Sequence, residues 1–244
     1  MVVTDPRAGE GTKRDHPEVS FSLYGALEGA RRCAPIAVSG FAIGLVFGVL
    51  ARQAGIGAAE TVLMSALVFS GAAQFVVLGL WTAPLPVATI VLTTLIIGLR
   101  HLLMGAALSP WFSKLPRLKA YGSVYFMADE NWAFAMNEFT KGRRDAAFLL
   151  GGGLAMVVSW TSATLIGRTV GDALEEPSRW GLDFAFTAIF LALLVGMWRG
   201  KSDLLPWVAA AAVAVAADAW LPGQWYILLG GLAGSIAGAV RSGY

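Results

Sequence analysis

Between Glu60 and Arg100 the chain carries no charged side chain. That run exceeds one bilayer crossing, which needs about 20 apolar residues for a hydrocarbon core of roughly 30 Å. Soluble domains usually carry about 25% charged residues, whereas this chain of 244 carries 14% and is 57% hydrophobic. Barrel strands would read instead as alternating segments of about 10 residues. The chain is therefore all-α, a polytopic helical membrane protein.

Residues 1–20 lack the apolar centre of a signal peptide. They read as a disordered cytoplasmic tail, followed by a transmembrane transporter domain over 21–244. A short interfacial helix is expected over 19–33, with a first span opening at Pro35 and ending near Ala51. Further spans are expected at 58–81, 84–108, 121–139, 146–166, 182–198, 204–220 and 224–240. That makes about seven to eight transmembrane helices, with broken or re-entrant segments among them.

Orientation follows from Lys and Arg in the flanks. With eight crossings and the N-terminus inside, eleven basic residues fall on the cytoplasmic side and six outside, with Arg100 in a span. Both termini are thus expected in the cytoplasm. The basic stretch 114–119 fits that scheme badly. It would fit better inside, which would require 84–108 to be re-entrant or broken. Glycines at four-residue spacing, Gly40, Gly44 and Gly48, then Gly230, Gly234 and Gly238, allow close helix packing in lipid.

Four polar groups interrupt the apolar runs. Ser70 and Gln74 flank Gly71, Ala72 and Ala73, and four-residue spacing puts them on one helix face. An unpaired amide in hydrocarbon is costly, so Gln74 must face protein or water, either as interhelical glue or at a site. Arg100 and His101 lie in an apolar segment, where such residues are functional, paired or snorkelling. Arg100 can hold a carboxylate by paired hydrogen bonds, and His101 can relay a proton. Asp129, Glu130 and Asn131 sit mid-segment. The two acids can pair with Arg100, receive an ammonium group, carry a proton, or lie solvated in a re-entrant turn. Ser159, Thr161 and Ser162 add hydroxyls, which commonly bond to the preceding turn.

Other chemistry is excluded. "GMWRGKS" (196–202) has three residues between its glycines where a phosphate loop has four, and it follows a membrane helix. ATP binding is rejected on that ground. One cysteine and two histidines offer no metal cluster. A net charge of +2 does not argue for nucleic acid. No nucleophile–base arrangement appears, so no enzyme and no cofactor are expected.

The segments "SGAAQF", "LRHLLMG", "ADENWA" and "SWTS" together resemble the AzlC/YgaZ family, large subunits of branched-chain amino-acid exporters. Ala73 and Ala128 stand where that family has a serine and a threonine. The resemblance implies a permease of the bacterial inner membrane that exports valine, leucine, isoleucine or similar amino acids without ATP hydrolysis in this chain. It also implies a small membrane partner of the AzlD/YgaH type. On this reading Gly71, Ala72, Ala73 and Gln74 form a helix break and, with Ser70, contact substrate. Arg100 binds the carboxylate. Asp129 or Glu130, with His101 and Asn131 beside them, handles the ammonium group or a proton. The competing reading is a membrane scaffold whose polar residues only join helices.

Overall fold

The computed structural model describes residues 19–173, 181–196, 198, 200–221 and 225–242. The expected tail lies almost wholly outside these. Ten α-helices follow in order: α1 (Leu23–Gln53), α2 (Ala58–Leu67), α3 (Gly71–Gly79), α4 (Val87–Phe112), α5 (Arg117–Tyr125), α6 (Asp129–Thr140), α7 (Ala147–Ala173), α8 (Leu182–Gly196), α9 (Leu204–Trp220) and α10 (Trp225–Ser242). The protein is a helical membrane protein, as its hydropathy requires. Helices α1, α4 and α7, and a stretch containing α9, are long and apolar enough to cross a bilayer.

Helix α1 runs unbroken through Pro35, so the expected interfacial helix and first span are one element. A membrane helix tolerates such a proline because neighbours and side chains satisfy the freed backbone groups. Helices α1 and α7 lie parallel, with backbones in contact. A methyl group added at Gly29 would strike the Phe148 carbonyl, and one at Gly151 would strike that of Ala26. Further along, Gly48 meets the Thr164 carbonyl and Gly167 that of Leu45. Lipid supplies no hydrophobic drive between helices, so close backbone packing of this kind is what holds them. Ion pairs clasp both ends of the seam. Arg52 bonds Asp172 at one end, and Arg143 links Glu28 with Glu138 at the other.

The segment 58–79 does not cross. The Gln74 amide lies 2.9 Å from the Met64 carbonyl oxygen. Ten residues of straight helix would separate these residues by about 15 Å. Instead α2 descends from the Gln53 end of α1, turns at Val68–Ser70, and α3 returns to that end. There Phe75 and Leu78 join Phe47, Leu50, Ala51 and Ile56 in one core. The segment 117–140 repeats this from the opposite end. Leu115 and Ala120 at its start, and Phe139 near its finish, share a second core with Phe21 and Phe148. Both segments are re-entrant hairpins. The expected second and fourth crossings are thus corrected, and 87–108 of the expected third lies in the continuous helix α4. Each hairpin half has only 9 to 12 residues, so two halves in series mimic one span in a hydropathy profile.

The hairpins meet tip to tip. Tyr125 donates its hydroxyl to the Leu67 carbonyl at 3.0 Å, and the Phe69 and Phe126 ring centroids are 6.4 Å apart. Glycines of α10 pack on α9, Gly230 against Ala214 and Gly234 against Ala210.

Candidate functional site

A cavity of about 470 Å³ lies between the two tips. Val68, Phe69 and Ser70 come from one tip, and Ala128, Asp129 and Glu130 from the other. Arg100 and His101 enter from α4. Ile36 and Ile43 of α1, with Met156 and Trp160 of α7, make the wall mainly apolar. Helix α8 contributes Ala192 and Gly196.

The expected helix break is present but lies upstream. Gly71–Gln74 is the first turn of α3, and the non-helical residues are Val68–Ser70. Small residues at 71–73 let this turn sit against Trp160, whose ring faces Gly71. Ser70 is the N-cap and no side chain caps α3. The first N–H groups of a helix lack intrahelical partners, and they carry the positive end of its dipole. Two more donors join them. Ser70 Oγ and Arg100 Nε are buried and have no hydrogen-bond partner among the described residues. A buried unsatisfied polar group costs about 1–3 kcal/mol, so both donors lack an acceptor that their burial calls for.

The acids come from the second tip. Arg100 Nη1 lies 2.5 Å from Asp129 Oδ2, which is the ion pair expected from the sequence. Among the described residues Glu130 has no ion pair, and it lines the cavity. His101 lines the same cavity. The cavity thus holds the N-terminal turns of both α3 and α6, and Glu130 lies in the first turn of α6.

Three expected site residues are not cavity-lining. Ala73 is buried in packing. Gln74, 1% exposed, spends its amide inside the fold. Its Nε2 donates to Val68 O at 2.7 Å and to Met64 O, and its Oε1 accepts from Trp160 Nε1 at 2.9 Å. Asn131, fully buried, does the same for the other tip. Its Nδ2 donates to Phe126 O and to Leu149 O of α7, and its Oδ1 accepts from Ala128 N. Each amide fastens a break where backbone groups would otherwise be orphaned in the membrane. Of the hydroxyls in α7, Ser162 bonds back to Ser159 O, Ser159 bonds across to Ala37 O at 2.6 Å, and Thr161 Oγ1 has no partner.

Trp160 was not singled out from the sequence. It forms one wall of the cavity, bonds Gln74, and packs on Phe47 and Phe75. Its position amid the hydroxyls of "SWTS" was the available signal, because a buried indole N–H requires an acceptor.

Comparison with known proteins places this architecture. The family described as "AzlC protein" matches residues 35–174, which hold both hairpins and every candidate site residue. The chain belongs to the AzlC family. It is 29% identical to an uncharacterized membrane protein of Archaeoglobus fulgidus, over 86% of this chain and 90% of that one. It is 27% identical to the inner membrane protein YgaZ of Escherichia coli, over 88% and 89%. It is 22% identical to the branched-chain amino acid transport protein AzlC of Bacillus subtilis, over 80% and 76%. No solved structure matches the chain.

Proposed function

We propose that this AzlC-family chain is a secondary transporter, not an enzyme, that exports branched-chain or similarly apolar amino acids across the bacterial cytoplasmic membrane. The observation that carries the reading is a mainly apolar cavity into which the two hairpin tips and α4 bring a few polar groups. The α3 N-terminus, Ser70 Oγ and Arg100 Nε supply unbonded donors for a carboxylate. Glu130, which has no ion pair among the described residues, supplies a carboxylate for an ammonium group or a coupling proton. The wall between them accepts a branched hydrocarbon tail. Ligand sites are typically apolar pockets of this size with a few convergent polar groups, and re-entrant backbone is tolerated at membrane depth where it lines such a cavity.

The similarity to the Bacillus subtilis transport protein supports the cargo class. The family resemblance supports a small AzlD/YgaH-type subunit as partner. The scaffold reading expected Arg100 to neutralise an acid away from any cavity, whereas the Arg100–Asp129 pair lines one. Inverted vesicles bearing this chain, with and without the small subunit, should accumulate labelled leucine, valine and isoleucine. Absence of accumulation in both preparations, with the protein present in the membrane, would refute the proposal.

A further inference from the structure

A shift of 58 residues in numbering aligns α1–α3 with α4–α6. It carries the break 68–70 onto 126–128, α2 onto α5, and α3 onto α6. It also carries the cavity-facing turn of α1, at Ile36–Ile43, onto the stretch of α4 ending at His101. The two units insert from opposite ends of the bundle. That makes α1–α3 and α4–α6 repeats of inverted topology, an arrangement in which one repeat rocks against the other around a fixed site.

The tips differ in sequence. "FSGAAQF" (69–75) lies over "MADENWA" (127–133) without an identity in register. Both nevertheless bear one buried amide in the first turn after the break, and both amides tie to α7. Gln74 takes a hydrogen bond from the Trp160 indole, and Asn131 gives one to the Leu149 carbonyl. Helix α7 is itself fixed to α1 along the glycine seam and by the Arg52–Asp172 pair, and Arg143, just before α7, pairs with Glu28 of α1. Each hairpin enters from a different end of the bundle, and both tips line the cavity.

We propose that the two hairpins are opposed gates and that Gln74 and Asn131 are their latches. Releasing Gln74 frees α2–α3 and opens the cavity toward the Gln53 end of α1. Releasing Asn131 frees α5–α6 and opens it toward the Leu23 end. The Tyr125–Leu67 hydrogen bond joins the tips while both gates are seated. This inference rests on the cavity being the transport site, but its test needs no substrate.

Ser39 lines the cavity, so Ser39→Cys in a Cys33→Ser background reports access. A membrane-impermeant methanethiosulfonate is applied to intact cells and, separately, to inverted vesicles. Gln74→Leu should raise the labelling rate from one side only, by about fivefold, the population shift worth one net hydrogen bond. Asn131→Leu should raise it from the other side only. If either leucine variant fails to accumulate, Trp160→Phe removes the donor to Gln74, and Asn131→Asp removes the donors to Leu149 and Phe126. Labelling that rises from the same side for both latches, or from neither side, would overturn the gates. Opposite-sided labelling without amino-acid transport would refute the proposed cargo and leave the gates standing.

Discussion

Asp129 and Glu130 are neighbours in the chain with different surroundings. Asp129 has Arg100 at 2.5 Å, whereas Glu130 has no cation among the described residues. Glu130→Gln keeps the shape and removes the charge, so transport should fall at least about 30-fold, the loss expected when a charged pair with substrate loses one member. Abundance in the membrane should stay near that of the parent, and a variant with the parental rate would exclude Glu130 from the site. Arg100→Ala strands Asp129 without its counter-ion, and an unpaired charge at membrane depth is costly. Protein abundance should therefore drop, and Asp129→Asn in the Arg100→Ala background should restore abundance without restoring export. Recovery of export as well would favour a purely structural pair. The charged residues were legible in sequence because any charge within an apolar run demands an explanation. The roles of Gln74 and Asn131 were not, because an amide can serve a ligand or the backbone with the same letters. Only the carbonyls of Met64, Val68, Phe126 and Leu149 decide between the two.

At the scale of helices, the α1–α7 seam depends on glycine. Gly151 abuts the Ala26 carbonyl, and Gly29 abuts that of Phe148. Gly151→Val would force the backbones apart, and overpacking of this kind typically costs about 1–3 kcal/mol. The variant should show a lower thermal midpoint in detergent, whereas the same change at Gly98, which has open space around it, should leave the midpoint unchanged. The small-residue stripe of α1 was readable as a packing face, but only two of its three members pack. Gly44 and Gly48 meet α7, whereas Gly40 lines the cavity. Most spans were readable from hydropathy, and α9 occupies the expected 204–220. The hairpins were not, since hydropathy records how many apolar residues occur in series and not whether the chain reverses among them. What betrays the reversal is the misplaced basic stretch 114–119. It signals one crossing fewer before it, and 58–81 was as eligible for that change as 84–108.

At the scale of the whole molecule, two hairpins in place of two crossings move Lys114, Arg117 and Lys119 to the end of the bundle where α1 begins. Lys119 stands there over the Phe21 ring. The sequence-based balance of eleven to six becomes fourteen to three, a much stronger asymmetry under the rule that cytoplasmic flanks are basic. A cysteine at Lys114 in the Cys33→Ser background should therefore react with an impermeant reagent in inverted vesicles and resist it in intact cells. Labelling in intact cells would contradict the proposed orientation. The glycine seam also sets a schedule. Gly29 and its counterpart Gly151 are 122 residues apart. At about 5–20 residues per second of synthesis, α1 waits roughly 6 to 24 s in the bilayer before α7 emerges. Throughout that interval its narrow groove is empty, and the same groove is offered by every other nascent copy nearby. A ribosome stalled near residue 140 would hold the chain in the state most open to pairing with the wrong helix. The vulnerable period of this protein is thus its own translation, and it closes only when the third helical pass, α7, emerges.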